Sequence, residues 1–382
     1  MSEQRGAPGV VRVIGTGLIG ASLGLALGRR GVDVVLEDPS PTAVALARDL
    51  GAGRVGVDDD PPPDLVVVAA PPDVAATVVV GALTRWPDAV VTDVASVKTS
   101  VLAAVRSAVG PRRSGQLVRY VGSHPMAGRE RSGAVAAQAD LFEGRSWVVC
   151  PGPQAVPEAT ELVRATAALA GAAPVTMSPE EHDRAVAVVS HAPQVAASLV
   201  AGRLRDLPDP AVSLSGQGLR DVTRIAASDP LLWTQILTGN ADAVLPVLDA
   251  LAADLEEVRS ALRTLLAETA APRQEASRDG APRGVLARAV ARGNAGHARI
   301  PGKHGAAPTA YGSVVVLVPD EPGALGRLFQ DMGVAGINLE DLHLEHGIGQ
   351  PVGLAELAVL PSAVERLQQV LTDKGWRVHP PG

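Results

Sequence analysis

The stretch "VVRVIGTGLIGASLGLAL", residues 10–27, constrains the fold more than any other part of the chain. A short β-branched run passes into an Ala/Leu-rich helical pattern through Gly15-Thr16-Gly17-Leu18-Ile19-Gly20. Each glycine has a separate duty at such a junction. Gly15 permits the tight turn, Gly17 lets a pyrophosphate approach the backbone, and Gly20 lets helix and strand pack closely. The helix that opens at Leu18 and Ile19 then offers unbonded N–H groups to phosphate. The next strand, "VDVVLED", ends in Asp38, about twenty residues on. An acid there accepts hydrogen bonds from the ribose hydroxyls of NAD and repels the extra phosphate of NADP; Glu37 beside it contests the role. The expected cofactor is NAD, held by Gly15, Gly17, Leu18, Ile19, Gly20 and Asp38.

The same alternation continues through "DLVVVAA", "AVVTDVA", "YVGSHP", "SWVVCP" and "APVTM". Near-continuous apolar strands between helical segments describe a parallel sheet covered on both faces. Residues 9–178 are therefore expected to form a doubly wound, Rossmann-like α/β domain. Its carboxyl-terminal strand ends face the ligand crevice, which places residues 69–74, 93–100 and 122–130 around the nicotinamide end.

From Ser178 the strand signal stops. "SPEEHDRAVAVVSHAPQVAASLVAGRL" opens with a Ser N-cap and Pro at the first helical position. Leucines and valines recur at three- and four-residue spacing through "DPLLWTQILTGNADAVLPVLDALAADLEEVRSALRTLLAE", predicting an all-α domain over 179–300 with one long helix after Pro246. Apolar helix faces left over would suit pairing with a second copy, a homodimer. Residues 301–311 read as an extended linker. Residues 312–382 give the order strand, helix, strand, strand, helix, strand, a βαββαβ module of ferredoxin-like topology whose edge strands invite pairing.

Bulk properties exclude several classes. A net charge of −7 gives no support for nucleic-acid or anionic-membrane binding. The single cysteine, Cys150, has no partner for a disulfide and lacks companions for a metal site. The N-terminus has no apolar signal-peptide core, and the longest apolar tract is broken by Pro71, Pro72 and Asp73. A cytoplasmic protein without a metal is the expectation.

An enzyme that moves hydride from an alcohol needs a base for the hydroxyl proton, and histidine titrates nearest neutrality. His124, in "GSHPMAGRERSG", stands at a strand end beside a rigid proline. Ser96, at the neighbouring strand end, is a candidate hydrogen-bond partner for His124 or for a substrate hydroxyl.

Taken together, "GTGLIGASL", "TDVASVK", "GSHPMAGRERSG", "LFEGRSWVVCP", "SPEEHDRAVAVVSHAPQ" and "LRDVTRIAASDPLLW" resemble the prephenate/arogenate dehydrogenase family of tyrosine biosynthesis. The matches run in order from about residue 10 to 240, and the connector and tail resemble versions of the family that carry an ACT module. The resemblance implies an NAD-dependent oxidative decarboxylation of prephenate or arogenate, with His124 as base and Ser96 as its polarising partner. It also implies substrate contacts from Arg224, a guanidinium fork for carboxylate, and from His191. Asp221, one turn before Arg224, would hold that arginine in place. Glu130 would join the ion-pair network and Trp233 would line the pocket. Gln194 stands where many members have a further histidine, and Arg129 replaces a small polar residue; both departures bear on substrate preference. An ACT-like tail implies tyrosine as a possible effector. Two other readings fit parts of the chain: a reductase for hydroxy acids or cyclic imines, and a non-catalytic dinucleotide and amino-acid sensor.

Overall fold

A computed structural model describes residues 6–128, 133–270, 282–300, 311–346 and 352–379. The chain divides into two compact units, Met1–Ala253 and Asp254–Gly382.

The first unit is built on strands β1 (Val10–Ile14), β2 (Asp33–Glu37), β3 (Arg54–Val55), β4 (Leu65–Val68), β5 (Val90–Asp93), β6 (Tyr120–Pro125), β7 (Ser146–Pro151) and β8 (Ala173–Thr176). They form one sheet in the order β3-β2-β1-β4-β5-β6-β7-β8. The order reverses between β1 and β4, where a doubly wound sheet opens its ligand crevice. Helices α1 (Leu18–Gly28), α2 (Pro41–Asp49), α3 (Pro72–Arg85), α4 (Thr99–Val109) and α5 (Pro157–Leu169) supply the crossovers. Two apolar clusters pack against the sheet, one including Val11, Val13, Leu23 and Leu27, the other Val66, Val68, Val79 and Leu83. Burial by helices is why these strands carry no polar alternation.

The expected all-parallel sheet needs one correction. β6 and β7 pair antiparallel, with His124 opposite Val148, and β8 runs parallel to β7. A parallel return requires a long crossover, usually a helix. The described part of the β6–β7 connection holds only a 3-10 turn at Ala134–Ala136, so the chain turns back instead.

A helix of 24 residues, Pro179–Gly202, follows. It comprises α6 (Pro179–Val186), a π-helical turn at Ala187–His191, and α7 (Ala192–Gly202). Ser178 caps it with a complete capping box closed by Glu181. Pro193 explains the π turn: it has no N–H to give to the carbonyl one turn back, and its ring would crowd that carbonyl. A bulge relieves both problems. The helix is apolar enough to span a bilayer, yet His182 and Asp183 are buried in it and hydrogen-bonded to other parts of the unit. The unit continues with α8 (Asp209–Val212), α9 (Gln217–Thr223) and α10 (Pro230–Gly239). The long helix α11 (Ala241–Ala270) then begins five residues ahead of the expected start and carries Pro246 inside it. Pro246 is the sixth residue of the helix and has no N–H to give to the carbonyl of Asp242 one turn back.

The second unit contains the end of α11 and α12 (Pro282–His297), joined by Arg292 to Asp254 and Glu257. It also holds β9 (Gly312–Pro319), α13 (Ala324–Val334), β10 (Asp341–His346), β11 (Val352–Val359), α14 (Val364–Asp373) and β12 (Arg377–His379). The strand order is β10-β11-β9-β12 with every pair antiparallel, the ferredoxin-like arrangement read from the sequence. Val314, Val316, Leu328, Leu357 and Leu367 fill its core.

Candidate active site

The glycine turn behaves as its spacing requires. Gly15 has φ +101, and a Cβ there would lie 2.3 Å from the Ala69 carbonyl oxygen. A Cβ on Gly20 would stand 1.9 Å from the Gly15 carbonyl oxygen, so helix and strand meet backbone to backbone. Gly17 has nothing within 4 Å of its missing side chain, and no side chain caps α1 above it. This open floor beneath unbonded helix N–H groups fits a dinucleotide pyrophosphate.

Asp38 lies just beyond β2. Its Oδ2 accepts the Thr16 N–H at 2.7 Å and the Thr16 hydroxyl at 2.9 Å, and its Oδ1 accepts the Ser40 N–H at 2.9 Å. The carboxylate therefore anchors the glycine turn while its remaining lone pairs can meet ribose hydroxyls. Glu37 does not compete. It pairs with buried Arg12 and with Arg85. Asp38→Asn keeps an acceptor for Thr16 and removes the charge. The ratio of kcat/KM for NAD over NADP should fall about tenfold, a change of about 1.4 kcal/mol, in steady-state assays with each cofactor.

His124 sits half-buried near the end of β6. Its Nδ1 lies 2.9 Å from His182 Nε2, and His182 Nδ1 lies 2.8 Å from Asp183 Oδ1. Asp183 also accepts the backbone N–H groups of Lys98 (2.9 Å) and Thr99 (2.8 Å), so it caps α4. Burial alone would raise the Asp183 pKa; hydrogen bonds from His182, Thr99 and Lys98 outweigh it and hold the group below its usual value. Proton positions follow from that charge. Ionised Asp183 takes the His182 Nδ1–H, His182 Nε2 must accept, and His124 Nδ1–H donates to it. The His124 Nε2 lone pair is left available.

The same surroundings keep His124 neutral. Its pKa lies well below the ordinary histidine value, first through burial, then through His182, Lys98 and His191, with Asp183 opposing. His191 is 1% exposed, and burial lowers its pKa to about 4. Asn240 Nδ2 bonds the Asp183 carbonyl at 2.8 Å and His191 Nδ1 at 3.1 Å, leaving His191 with its proton on Nε2 as a donor. The Trp233 ring meets His191 edge-on at 5.9 Å. The π turn makes this grouping possible. Nine residues of regular helix would put His182 and His191 about 180° apart, whereas one extra residue in a turn brings them to about 80°.

The structure thus joins His124 to His191 and Trp233 and adds His182, Asp183 and Asn240, which the sequence did not single out. The signal was present: two histidines and an aspartate on an otherwise apolar helix demand buried partners. Ser96 is half-buried after β5, but the partner of His124 Nδ1 is His182. Asp221 accepts from Gln217 at 2.7 Å, one turn earlier on α9. Arg224 is exposed, at the start of the 3-10 turn Arg224–Ala226 that follows α9. Arg129 and Glu130 lie outside the described residues.

Comparison with known proteins decides the family. Residues 23–176 match the nucleotide-binding domain of prephenate dehydrogenase, and residues 178–271 match its dimerization domain. A probable prephenate dehydrogenase of Streptomyces niveus is 36% identical over 373 residues, covering 95% of this chain and 98% of that protein. The chain belongs to the prephenate dehydrogenase family. As a member it is an NAD-dependent oxidoreductase of tyrosine biosynthesis. A cyclohexadienyl dehydrogenase of Zymomonas mobilis is 33% identical over 263 residues, covering 66% of this chain and 88% of that protein. The crystal structure of prephenate dehydrogenase from A. aeolicus, in complex with hydroxyphenyl propionate and NAD+, matches with TM-score 0.59 at 28% identity. That match covers 68% of this chain and 92% of the other.

Proposed function

We propose that this dehydrogenase converts prephenate to 4-hydroxyphenylpyruvate with His124 as the base. The observation that carries the reading is the ordered chain His124–His182–Asp183, which leaves one neutral imidazole nitrogen basic near the end of β6 of the nucleotide-binding sheet. Bound NAD supplies the hydride acceptor. His124 Nε2 takes the hydroxyl proton as hydride leaves the carbinol carbon. The electron pair of the breaking carbon–carboxylate bond completes the aromatic ring as CO2 departs, and the imidazolium returns its proton to the phenolic oxygen. Protons balance, and the base is regenerated.

Arg224 and the Nε2–H of neutral His191 are the groups proposed for the substrate carboxylates, with Ser96 near the reacting hydroxyl and Trp233 at the pocket wall. Asp221 and Glu130 are proposed as supports for Arg224. The dimerization domain supports a homodimer paired through its exposed apolar helix residues, among them Val189, Leu199 and Leu231. We place the enzyme in the cytoplasm and assign the βαββαβ module a regulatory role with tyrosine as effector. NADH absorbance on mixing enzyme, NAD and prephenate tests the activity. Parallel steady-state assays with arogenate test the substrate: kcat/KM favouring arogenate would replace prephenate in this reading, and no NADH with either would overturn it.

A further inference from the structure

Beneath the site lies a buried ion pair that the reaction above does not use. Lys98 is 2% exposed and Asp93 is fully buried, and the Lys98 ammonium pairs with Asp93 Oδ1. The ammonium also donates to the Ser123 carbonyl at 2.6 Å. Asp93 is held further by the Tyr120 hydroxyl at 2.7 Å and by the Ala95 N–H at 3.0 Å. The Ser123 hydroxyl donates to the Asp93 carbonyl at 2.9 Å. A charged pair at this depth carries a desolvation cost that its Coulomb energy only partly offsets. An apolar residue of similar volume would fill the space without that cost, so the pair calls for a purpose beyond stability.

Its connections supply one. The Lys98 side chain grips the residue immediately before His124, and the Lys98 backbone N–H grips Asp183, the far end of the relay. We propose that Lys98 is a positioning residue that fastens both ends of the His124–His182–Asp183 chain to one point of the nucleotide-binding sheet. The inference rests on His124 as the base. The cation has a second effect, because it disfavours a second positive charge on the imidazole. Other titratable groups around His124 are His182 and Asp183 from α6, His191 from the π turn, Asp93 from β5, Tyr120 on its own strand, and Cys150 on β7.

The test uses the full-length enzyme. Lys98→Met would leave Asp93 unpaired, so the informative variant is Lys98→Met combined with Asp93→Asn, which removes both charges and keeps an acceptor for Tyr120. The variant is checked for folding by circular dichroism, and histidine 13C NMR reads the His124 titration. The double variant is expected to keep its KM for NAD, lose about tenfold in kcat, and raise the His124 midpoint. Lys98→Arg retains the charge and is expected to keep the midpoint of the unaltered enzyme. An unchanged kcat and midpoint in the folded double variant would overturn the proposal. If the double variant does not fold, Lys98→Arg decides: a lowered kcat with the midpoint unmoved supports it, and an unchanged kcat overturns it. Failure of the underlying reading is separate, since it would show as turnover in a variant lacking the His124 imidazole.

Discussion

His124→Asn is expected to lower kcat by about 10³-fold, within the 10² to 10⁴ that a positioned general base contributes. Asparagine keeps a donor that can reach His182 but offers no group that titrates in the useful range. The Asp38–Thr16 anchor and the glycine turn do not involve residue 124, so NAD affinity should stay within about twofold of the unaltered enzyme by fluorescence titration. A loss in kcat with NAD affinity retained is the signature of a group that acts in the transition state. Retention of more than a tenth of the original turnover would place the base elsewhere.

His182→Leu is expected to cost about 10- to 100-fold in kcat with KM for substrate changed little. His182 is fully buried and is the hydrogen-bond acceptor that aims His124 Nδ1. Leucine fills much of the volume but accepts nothing, so the imidazole loses both its fixed orientation and its fixed proton. The Asp183 oxygen that held His182 would lose a partner in a buried place, and thermal stability should fall by about 1 to 3 kcal/mol. His182→Gln separates orientation from packing. Its amide can donate to Asp183 and accept from His124, and it should recover part of the lost kcat. Equal defects in the leucine and glutamine variants would mean that the relay serves packing alone.

The parts of the fold set by local requirements were legible. Gly15 and Gly20 face backbone oxygens at distances no side chain survives, so their spacing announces the turn wherever it occurs. The βαββαβ tail likewise follows from the order of its short apolar runs and helical stretches, although the unbroken apolar run of β9 hides the alternation of its burial. What was not legible depends on relations between distant elements. The reversal of β7 reflects the path from Met126 to Arg145, and strand composition carries no direction. Neighbouring strand ends point to Ser96 as the partner of His124. The actual partner, His182, comes from a helix 58 residues onward. Lys98 draws no role from the sequence alone, because a buried ion pair is recognised only when both strands that flank it are in place.

The π turn between α6 and α7 has one more consequence. It acts as an angular spacer that indexes everything downstream of His191 against everything upstream of it. Rewinding Ala187–His191 as regular α-helix with no change in chain length would restore an even backbone ladder while swinging the His191 imidazole about 100° round the rod, away from His182. For this enzyme a more perfect helix of the same length would be a broken instrument, and the irregular turn is as much a part of its chemistry as the identity of the residues.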